Sequence, residues 1–473
     1  VSSWANLVHG EAGRDLHLDL RQAIEPGRRG TRDQLINALR DAVRSGRLTS
    51  GTVLPPSRSL AVDLGLARNT VAEAYAELVA EGWLGSRQGA GTWVISDRPE
   101  PLPTQPRGRP SAPTYNLMPG SGNVAAFPRQ AWLASTRRAL TNAPTEALRT
   151  GDARGRTELR SALAEYLARA RGVRTSPESI VICAGTRHAI ELLTKLVAPE
   201  AIALEEYGLH LFRNAIAAGG AQTIAIGIDD GGAVIDDLEN SSAAAVLLTP
   251  AHHFPHGVPL HPARRSQVLK WANRTNGYVL EDDYDGEFRY DRQPVGSIQG
   301  LDPQRVVYLG SASKSLSPVL RLGWMALPDD LIDPVLDAAG GQQFYVNGID
   351  QLAMADFIQS GQYDKHIRRM RISYRRRRDA LTTKLAGLDV QISGLSAGLH
   401  ALIRLPTGTE HEVMRRAADS GIALSGLALL RHPDAPPDRP PRDGVVVSFG
   451  TPADHEFNAA IEALHDVLKS VSR

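Results

Sequence analysis

Lysine is scarce in this chain. Of 53 Lys+Arg side chains only six are lysine (Lys195, Lys270, Lys314, Lys365, Lys384 and Lys469), which leaves 53 − 6 = 47 arginines. Chemistry that needs a primary amine therefore falls to one of six positions. Lys314 stands in the most chemical setting: an apolar run at 306–309 leads into Ser311-Ala312-Ser313-Lys314, and Arg321 follows seven residues later. A lysine held beside a desolvated pocket forms a Schiff base with an aldehyde. Ser311 and Ser313 offer small hydroxyls to phosphate oxygens, and Arg321 adds a planar fork of donors for the same group. Upstream, a second apolar run ends in Glu281-Asp282-Asp283-Tyr284. A buried carboxylate at Asp282 keeps a pyridine nitrogen protonated, so that the ring withdraws electrons. The Tyr284 hydroxyl, two residues on, is spaced to bond a phenolic oxygen. A third element, Ala184-Gly185-Thr186-Arg187, joins an apolar run to a helix-patterned stretch. Its amides suit a phosphate at a helix N-terminus, and the same residues also read as a plain strand-to-helix turn.

Other clusters point to less. His252, His253, His256 and His261 fall within ten residues, and imidazole is a common metal ligand. The stretch is broken by proline and holds no Cys, Asp or Glu, so no metal is expected and a pocket-lining loop is the better reading. Arg375–Arg378 reads as a solvated helix face, with a DNA-backbone patch as the sharper alternative. The single cysteine, Cys183, cannot form an internal disulfide, which fits a reducing compartment.

The elements that must position these groups follow from hydrophobic pattern. Apolar strands are expected at 179–183, 201–204, 222–226, 245–248, 278–281, 306–309 and 323–327. Helical stretches at 158–169, 188–196 and 264–272 lie among them. That alternation predicts a mostly parallel sheet covered on both faces. From about residue 342 the pattern turns helical, and 399–404 and 444–449 read as strands of a smaller terminal subdomain. Before residue 95 the order differs. Leu35, Ile36, Leu39 and Val43 share one helix face. Ser57 offers an N-cap for a second helix, and Gly65 breaks it. A third helix runs from about Arg68 to Ala80 with Val71, Ala74, Tyr75 and Leu78 on one side. Two short strands then turn about Gln88-Gly89-Ala90-Gly91. Three helices and a glycine-tipped hairpin form a winged helix–turn–helix. Residues 96–114 hold six prolines in nineteen and read as an extended, semi-rigid linker.

Composition bounds the classes. Hydrophobic residues at 42% and charged residues at 22% are ordinary globular values, and 473 residues predict about two to four domains. No apolar run reaches the ~20 residues of a membrane helix, and the first residues lack a signal-peptide pattern; a cytoplasmic protein without membrane contact is expected. The net charge of +1 hides a local concentration: between Arg28 and Arg68 eight arginines oppose Asp33, Asp41 and Asp63. Phosphate attraction needs a basic face, not a basic protein. Arg68, Asn69 and Thr70 open the third helix, whose N-terminal residues reach base edges in a major groove. Arg grips guanine and Asn suits adenine. Arg58 is placed for phosphate or base contact, and the slim wing tip at Gln88 and Gly89 lets backbone approach a minor groove.

Residues 31–94, with Leu54-Pro-Pro-Ser-Arg-Ser-Leu-Ala and Leu64-Gly-Leu-Ala-Arg-Asn-Thr-Val-Ala-Glu-Ala-Tyr, resemble the GntR-superfamily winged helix–turn–helix. From about Tyr115 onward the Lys314, Asp282 and Gly185 motifs resemble fold type I aminotransferases. The fusion of the two resembles the MocR/GabR-type transcriptional regulators over essentially the whole chain. The resemblance implies a multidomain protein: a DNA-binding domain over 1–95, a linker over 96–114, and an α/β, pyridoxal 5'-phosphate-binding aminotransferase-like domain over 115–473. That last domain would have a large subdomain at about 150–340 and a small one at about 345–473. It implies Lys314 as the Schiff-base lysine, Asp282 at the pyridine nitrogen, and Tyr284 at the phenolic oxygen. Ser311, Ser313, Arg321, Gly185 and Thr186 would hold the phosphate. It also implies a domain-swapped, head-to-tail homodimer on promoter DNA, with pyridoxal phosphate or a small amino compound as effector and vitamin B6 or amino-acid metabolism as the regulated process. An active aminotransferase with an appended DNA-binding module is the alternative. The chain departs from the family pattern at four points. Leu209 stands where a ring-stacking tyrosine is usual, Thr150 replaces another tyrosine, and His253 replaces a glutamine. The strand at 445–449 lacks the arginine that anchors a substrate carboxylate, although Arg442 precedes it.

Overall fold

The computed structural model describes residues 30–89, 91–95, 113–197, 201–290, 296–341, 346–394, 397–436 and 439–471. The linker prolines at 99–110 fall outside the described residues. The chain divides into two compact units, Val1–Pro110 and Ser111–Arg473.

In the first unit, α1 (Thr31–Arg44), α2 (Ser57–Leu64) and α3 (Arg68–Ala80) pack with a three-stranded sheet whose first strand lies between α1 and α2. Its strands, β1 (Val53–Leu54), β2 (Leu84–Arg87) and β3 (Gly91–Val94), lie in the order β1-β3-β2 and pair antiparallel. The predicted apolar faces form its core: Leu35, Ile36 and Leu39 of α1 close on Leu60 of α2 and on Val71, Ala74, Tyr75 and Leu78 of α3. The buried Tyr75 hydroxyl donates to the Pro55 carbonyl at 3.0 Å, tying α3 to the segment that leads into α2. Ser57 is not the N-cap. Pro56 holds that position and no side chain caps the helix; a proline there fixes φ in place of a capping bond.

The second unit is built on a seven-stranded sheet. Its strands are β4 (Ile180–Cys183), β5 (Ala201–Glu205), β6 (Gln222–Ile226), β7 (Ala245–Leu248), β8 (Tyr278–Asp282), β9 (Val306–Ser311) and β10 (Gly323–Ala326). Their order is β4-β10-β9-β8-β7-β5-β6, with β10 antiparallel to both neighbours and the remaining pairs parallel. Side chains alternate between two cores, as strand geometry requires. Ala245 and Leu247 enter the layer with Ala189, Ile190 and Leu193. Val246 and Leu248 enter the opposite layer with Val268, Trp271 and Ala272. Continuous apolar runs in the sequence are the signature of such doubly covered strands. Because β5, β7, β8 and β9 run parallel, their C-terminal ends lie along one edge, where ligands of open α/β sheets sit.

A smaller antiparallel sheet follows, β11 (Gln391–Ser393), β12 (His400–Arg404), β13 (Ser425–Gly426) and β14 (Gly444–Ser448), in the order β11-β12-β14-β13. His400 faces Ser448 in its register. The Gln362–Leu385 helix does not present Arg375–Arg378 as one solvated face. Arg377 is buried, donating to the carbonyls of Phe449 at 3.0 Å and Pro452 at 2.7 Å and pairing with Asp454. No helix among the described residues is long and apolar enough to cross a membrane.

Candidate functional site

The edge formed by the strand ends opens into a cavity of about 250 Å³. All eight residues singled out for the cofactor line it: Lys314, Asp282, Tyr284, Ser311, Ser313, Arg321, Gly185 and Thr186. The parallel strands explain how residues far apart in sequence meet. Asp282 ends β8 and Ser311 ends β9, with Asp282 beside Leu309 in the ladder. Ser311 pairs with Gly323 of β10, and Gly323 with Cys183 of β4. From Cys183 the chain turns through Gly185, whose φ of +100° favours glycine, into the Thr186–Val197 helix.

Strand alternation sorts the acidic run. Glu281 points away from the cavity and accepts the amides of Ile298 and Gln299 at 2.8 and 2.9 Å. Asp283 forms a buried fork with Arg171 at 2.6 and 2.9 Å and accepts from Tyr308 at 2.7 Å. Asp282 lies between them and faces the cavity. It is 4% exposed, and its Oδ1 has no hydrogen-bond partner. Burial pushes its carboxyl up to about 7, against the pull of Lys314. Burial also holds the Lys314 ammonium below the usual lysine range, opposed by Asp282 and Asp285, so more of the amine is free to act as a nucleophile. Lys314 Nζ donates to the Gly120 carbonyl. At the other end Arg321 is exposed and forms no ion pair among the described residues.

These residues fit pyridoxal phosphate. An orphaned, buried carboxylate oxygen suits a protonated ring nitrogen, because a buried acceptor without a donor is costly. Two hydroxyls, a guanidinium and a helix N-terminus gather at the phosphate end.

Several lining residues carry no local signal in sequence. Glu205, at the end of β5, accepts from Thr249 N at 3.1 Å and Thr249 Oγ1 at 2.7 Å, and burial pushes its carboxyl up to about 8. Arg213 and Arg187 bring two cations to the cavity, and His400 and Ser448 form its small-sheet wall. Leu209 lines it beside the rings of Tyr207 and Phe212; Tyr207 also packs against His256, and its hydroxyl accepts from Arg442 N. Arg442 and His253 do not line the cavity, nor do His252, His256 and His261; of the histidine-rich loop, Thr249 and Phe254 do.

In the first unit Arg58, Arg68, Asn69, Gln88 and Gly89 are exposed, and Thr70 is half-buried. The basic stretch is not uniformly free. Arg40 forks onto Glu81 at 2.9 and 2.7 Å, Arg32 pairs with Glu77 at 2.9 Å, and Arg44 lies 5.2 Å above the Trp83 ring. Arg58 and Arg68 form no such pair among the described residues. Arg87, exposed where β2 ends beside the wing tip, likewise forms no ion pair among the described residues.

Comparison with known proteins agrees with this division. Residues 31–94 match the model for bacterial regulatory proteins of the gntR family, and residues 117–432 match that for aminotransferase class I and II. The fold and cavity thus define a class: a GntR reader joined to an aminotransferase-fold body. The HTH-type transcriptional regulator YhdI of Bacillus subtilis is 34% identical over 451 residues, covering 91% of this chain and 94% of that one. The probable rhizopine catabolism regulatory protein MocR of Rhizobium meliloti is 31% identical, covering 88% and 89%. The pyridoxine biosynthesis regulator PdxR of Corynebacterium glutamicum is 32% identical, covering 84% and 87%. Among solved structures, a Pyrococcus horikoshii kynurenine aminotransferase superposes with a TM-score of 0.68 at 24% identity, covering 76% of this chain and 92% of that one, which shows the fold. The chain belongs to the MocR/GabR-type family of transcriptional regulators.

Proposed function

We propose that this regulator binds promoter DNA as a homodimer and senses pyridoxal phosphate, or an amino compound that reacts with it, in the cytoplasm. The observation that carries this reading is the convergence of Lys314, Asp282, Tyr284, Ser311, Ser313, Arg321, Gly185 and Thr186 on one cavity. When bound, pyridoxal phosphate supplies an electrophilic carbonyl and an electron-withdrawing ring. Lys314 is the amine that tethers it. Asp282 holds a proton at the ring nitrogen, and Tyr284 donates toward the phenolic oxygen. Ser311, Ser313, Arg321 and the Gly185–Thr186 amides grip the phosphate. In the reader, Arg68, Asn69 and Thr70 enter the major groove, Arg58 meets the backbone, and Gln88 and Gly89 bring the wing to the minor groove.

The Arg129–Asn142 helix supports the dimer. It buries only Ser135 fully and exposes Leu133 and Leu140, with Leu148 and Ile349 also exposed, an apolar surface of the kind that marks an interface. The family implies that the copies pack head to tail with exchanged reader domains. Switching requires a ligand that favours one dimer arrangement. A relative named for pyridoxine biosynthesis supports vitamin B6 as the regulated process.

Footprinting on DNA upstream of the gene tests the reading. Two protected half-sites whose protection changes with pyridoxal phosphate are expected; no protection in either condition contradicts it. Transamination is a second reading, favoured by Arg213, which is half-buried, lines the cavity and forms no ion pair among the described residues. Rapid spectral conversion of the bound cofactor on adding amino acids would support it.

A further inference from the structure

Behind the cavity wall lies a buried polar group that the reading above does not use. His252 Nδ1 is 2.9 Å from Asp285 Oδ2, with the two side chains 3% and 2% exposed. The same Nδ1 is 3.1 Å from the Tyr284 hydroxyl, and after burial the neighbouring Asp285 charge is the largest influence that holds the proton on that hydroxyl. The backbone is shaped around this contact. Gly398 has φ +73°, and a Cβ there would lie 2.4 Å from His252 Cε1 and 2.5 Å from Asp285 Oδ2. A larger residue would push the pair apart.

Counting protons shows what the arrangement does. A carboxylate oxygen only accepts, so the proton on the His252–Asp285 contact sits on Nδ1. Toward Nδ1–H the Tyr284 oxygen is then an acceptor. Tyr284 keeps one proton of its own: the Asp285 charge draws it back, and the cavity that Tyr284 lines lies ahead of it. His252 works against that pull by supplying Asp285 with a different donor. The histidine and the aspartate thus act on Tyr284 in opposite senses.

We propose that Asp285 and His252 are positioning residues that set how much of the Tyr284 proton reaches the phenolic oxygen of bound pyridoxal phosphate. The proposal rests on Tyr284 being the partner of that oxygen. Asp285 withholds the proton and His252 releases it. A donated hydrogen bond stabilises a deprotonated oxygen and lowers the pH at which the cofactor gives up its shared proton. The groups facing Tyr284 are Asp285, Asp282, Glu205, His252 and His400, with Lys314 across the cavity. His400 is held as a bystander: its Nε2 has no partner, and burial lowers it to about 3, so it stays neutral across the range tested.

The test is the pH titration of the visible absorption band of the full-length protein loaded with pyridoxal phosphate, which reports that proton directly. Asp285→Asn removes the competing acceptor and its charge, and the transition falls by about one pH unit. His252→Leu removes the donor that offsets the Asp285 carboxylate, and the transition rises. His252→Asn places an N–H near the Nδ1 position and returns it toward wild type. Should Asp285→Asn fail to fold, the His252 variants carry the test alone: no rise in His252→Leu, or a rise that His252→Asn does not reverse, overturns the proposal, and with all three variants in hand the signs decide. A merely structural pair would not give shifts of opposite sign, so shifts of one sign, or none, overturn the proposal. Tyr284→Phe separates this from failure of the underlying reading. It raises the transition if Tyr284 meets the phenolic oxygen; an unchanged titration in that variant overturns the assignment of Tyr284 and the proposal with it.

Discussion

The two units use charge in opposite ways. In the winged unit the cations proposed to meet DNA, Arg58 and Arg68, are exposed and form no ion pair among the described residues, while Arg32 and Arg40 are spent on Glu77 and Glu81 within the unit. In the cavity the working charges are buried: Asp282 has an orphaned oxygen, Lys314 is held low, and Glu205 is pushed up. A DNA phosphate brings its own charge and salt atmosphere, so a solvated guanidinium suffices. A small ring in a dry cavity needs groups whose ionisation the protein has already biased. The lesson is that charge count locates neither site. Freedom from partners marks the first, and burial without a partner marks the second.

The largest expected effect breaks the comparison at Asp282. Asp282→Ala strips a buried charge from its ring-nitrogen partner, a change that typically costs about 2–5 kcal/mol. Equilibrium dialysis should show pyridoxal phosphate binding weakened by roughly 30-fold or more, with DNA affinity in the absence of ligand unchanged. Glu205 comes next. Its carboxyl moves from the ordinary 4.5 to about 8 on folding, so between those values the folded state holds a proton that the unfolded state releases. Stability is therefore highest below about pH 4.5 for this group and falls as pH rises through about 8, by a few kcal/mol at most, at ~1.4 kcal/mol per pKa unit. Urea unfolding from pH 5 to 8 should show this decline in the cofactor-free protein, and Glu205→Gln should flatten it.

In the reader the effects are smaller and of a different kind. Arg68→Ala should cost about 1–3 kcal/mol of operator affinity and relax the preference at one base pair. Arg58→Ala should weaken binding across sequences and reduce the salt slope by about one if it meets a phosphate. Neither should alter the cofactor spectrum. Arg40→Gln sharpens the contrast at the low end. Its pairing with Glu81 is at the surface, worth ~1 kcal/mol or less, and titration on DNA should find affinity near wild type. A loss as large as that of Arg68→Ala would mean that ion pairing does not distinguish the two sets of arginines.

The sequence made the reader legible because its information is local. The α3 face of Val71, Ala74, Tyr75 and Leu78 follows from helical spacing and is the face that is buried. In the body, strands such as Gln222–Ile226 and Ala245–Leu248 were evident as apolar runs, and the Ser-x-Ser-Lys, Asp-x-Tyr and Gly-Thr motifs were evident because each sits where a strand ends. What sequence did not disclose was created by packing. Glu205, Arg213 and His400 come to the cavity from three separate elements, and no spacing links them to Lys314. Arg377 carried a misleading signal: in a run of four arginines only its helix phase turns it inward, onto carbonyls that lie beyond residue 448. Ser57 misled for a similar reason, since a preceding proline took the capping position.

The central claim is that the cavity holds pyridoxal phosphate through one amine. Reduction of the loaded protein with borohydride, followed by peptide mass analysis, tests it most directly. A phosphopyridoxyl mass on the peptide containing Lys314, and on none carrying the other five lysines, is the predicted result. No added mass, or a label spread over surface lysines such as Lys270, would contradict the account.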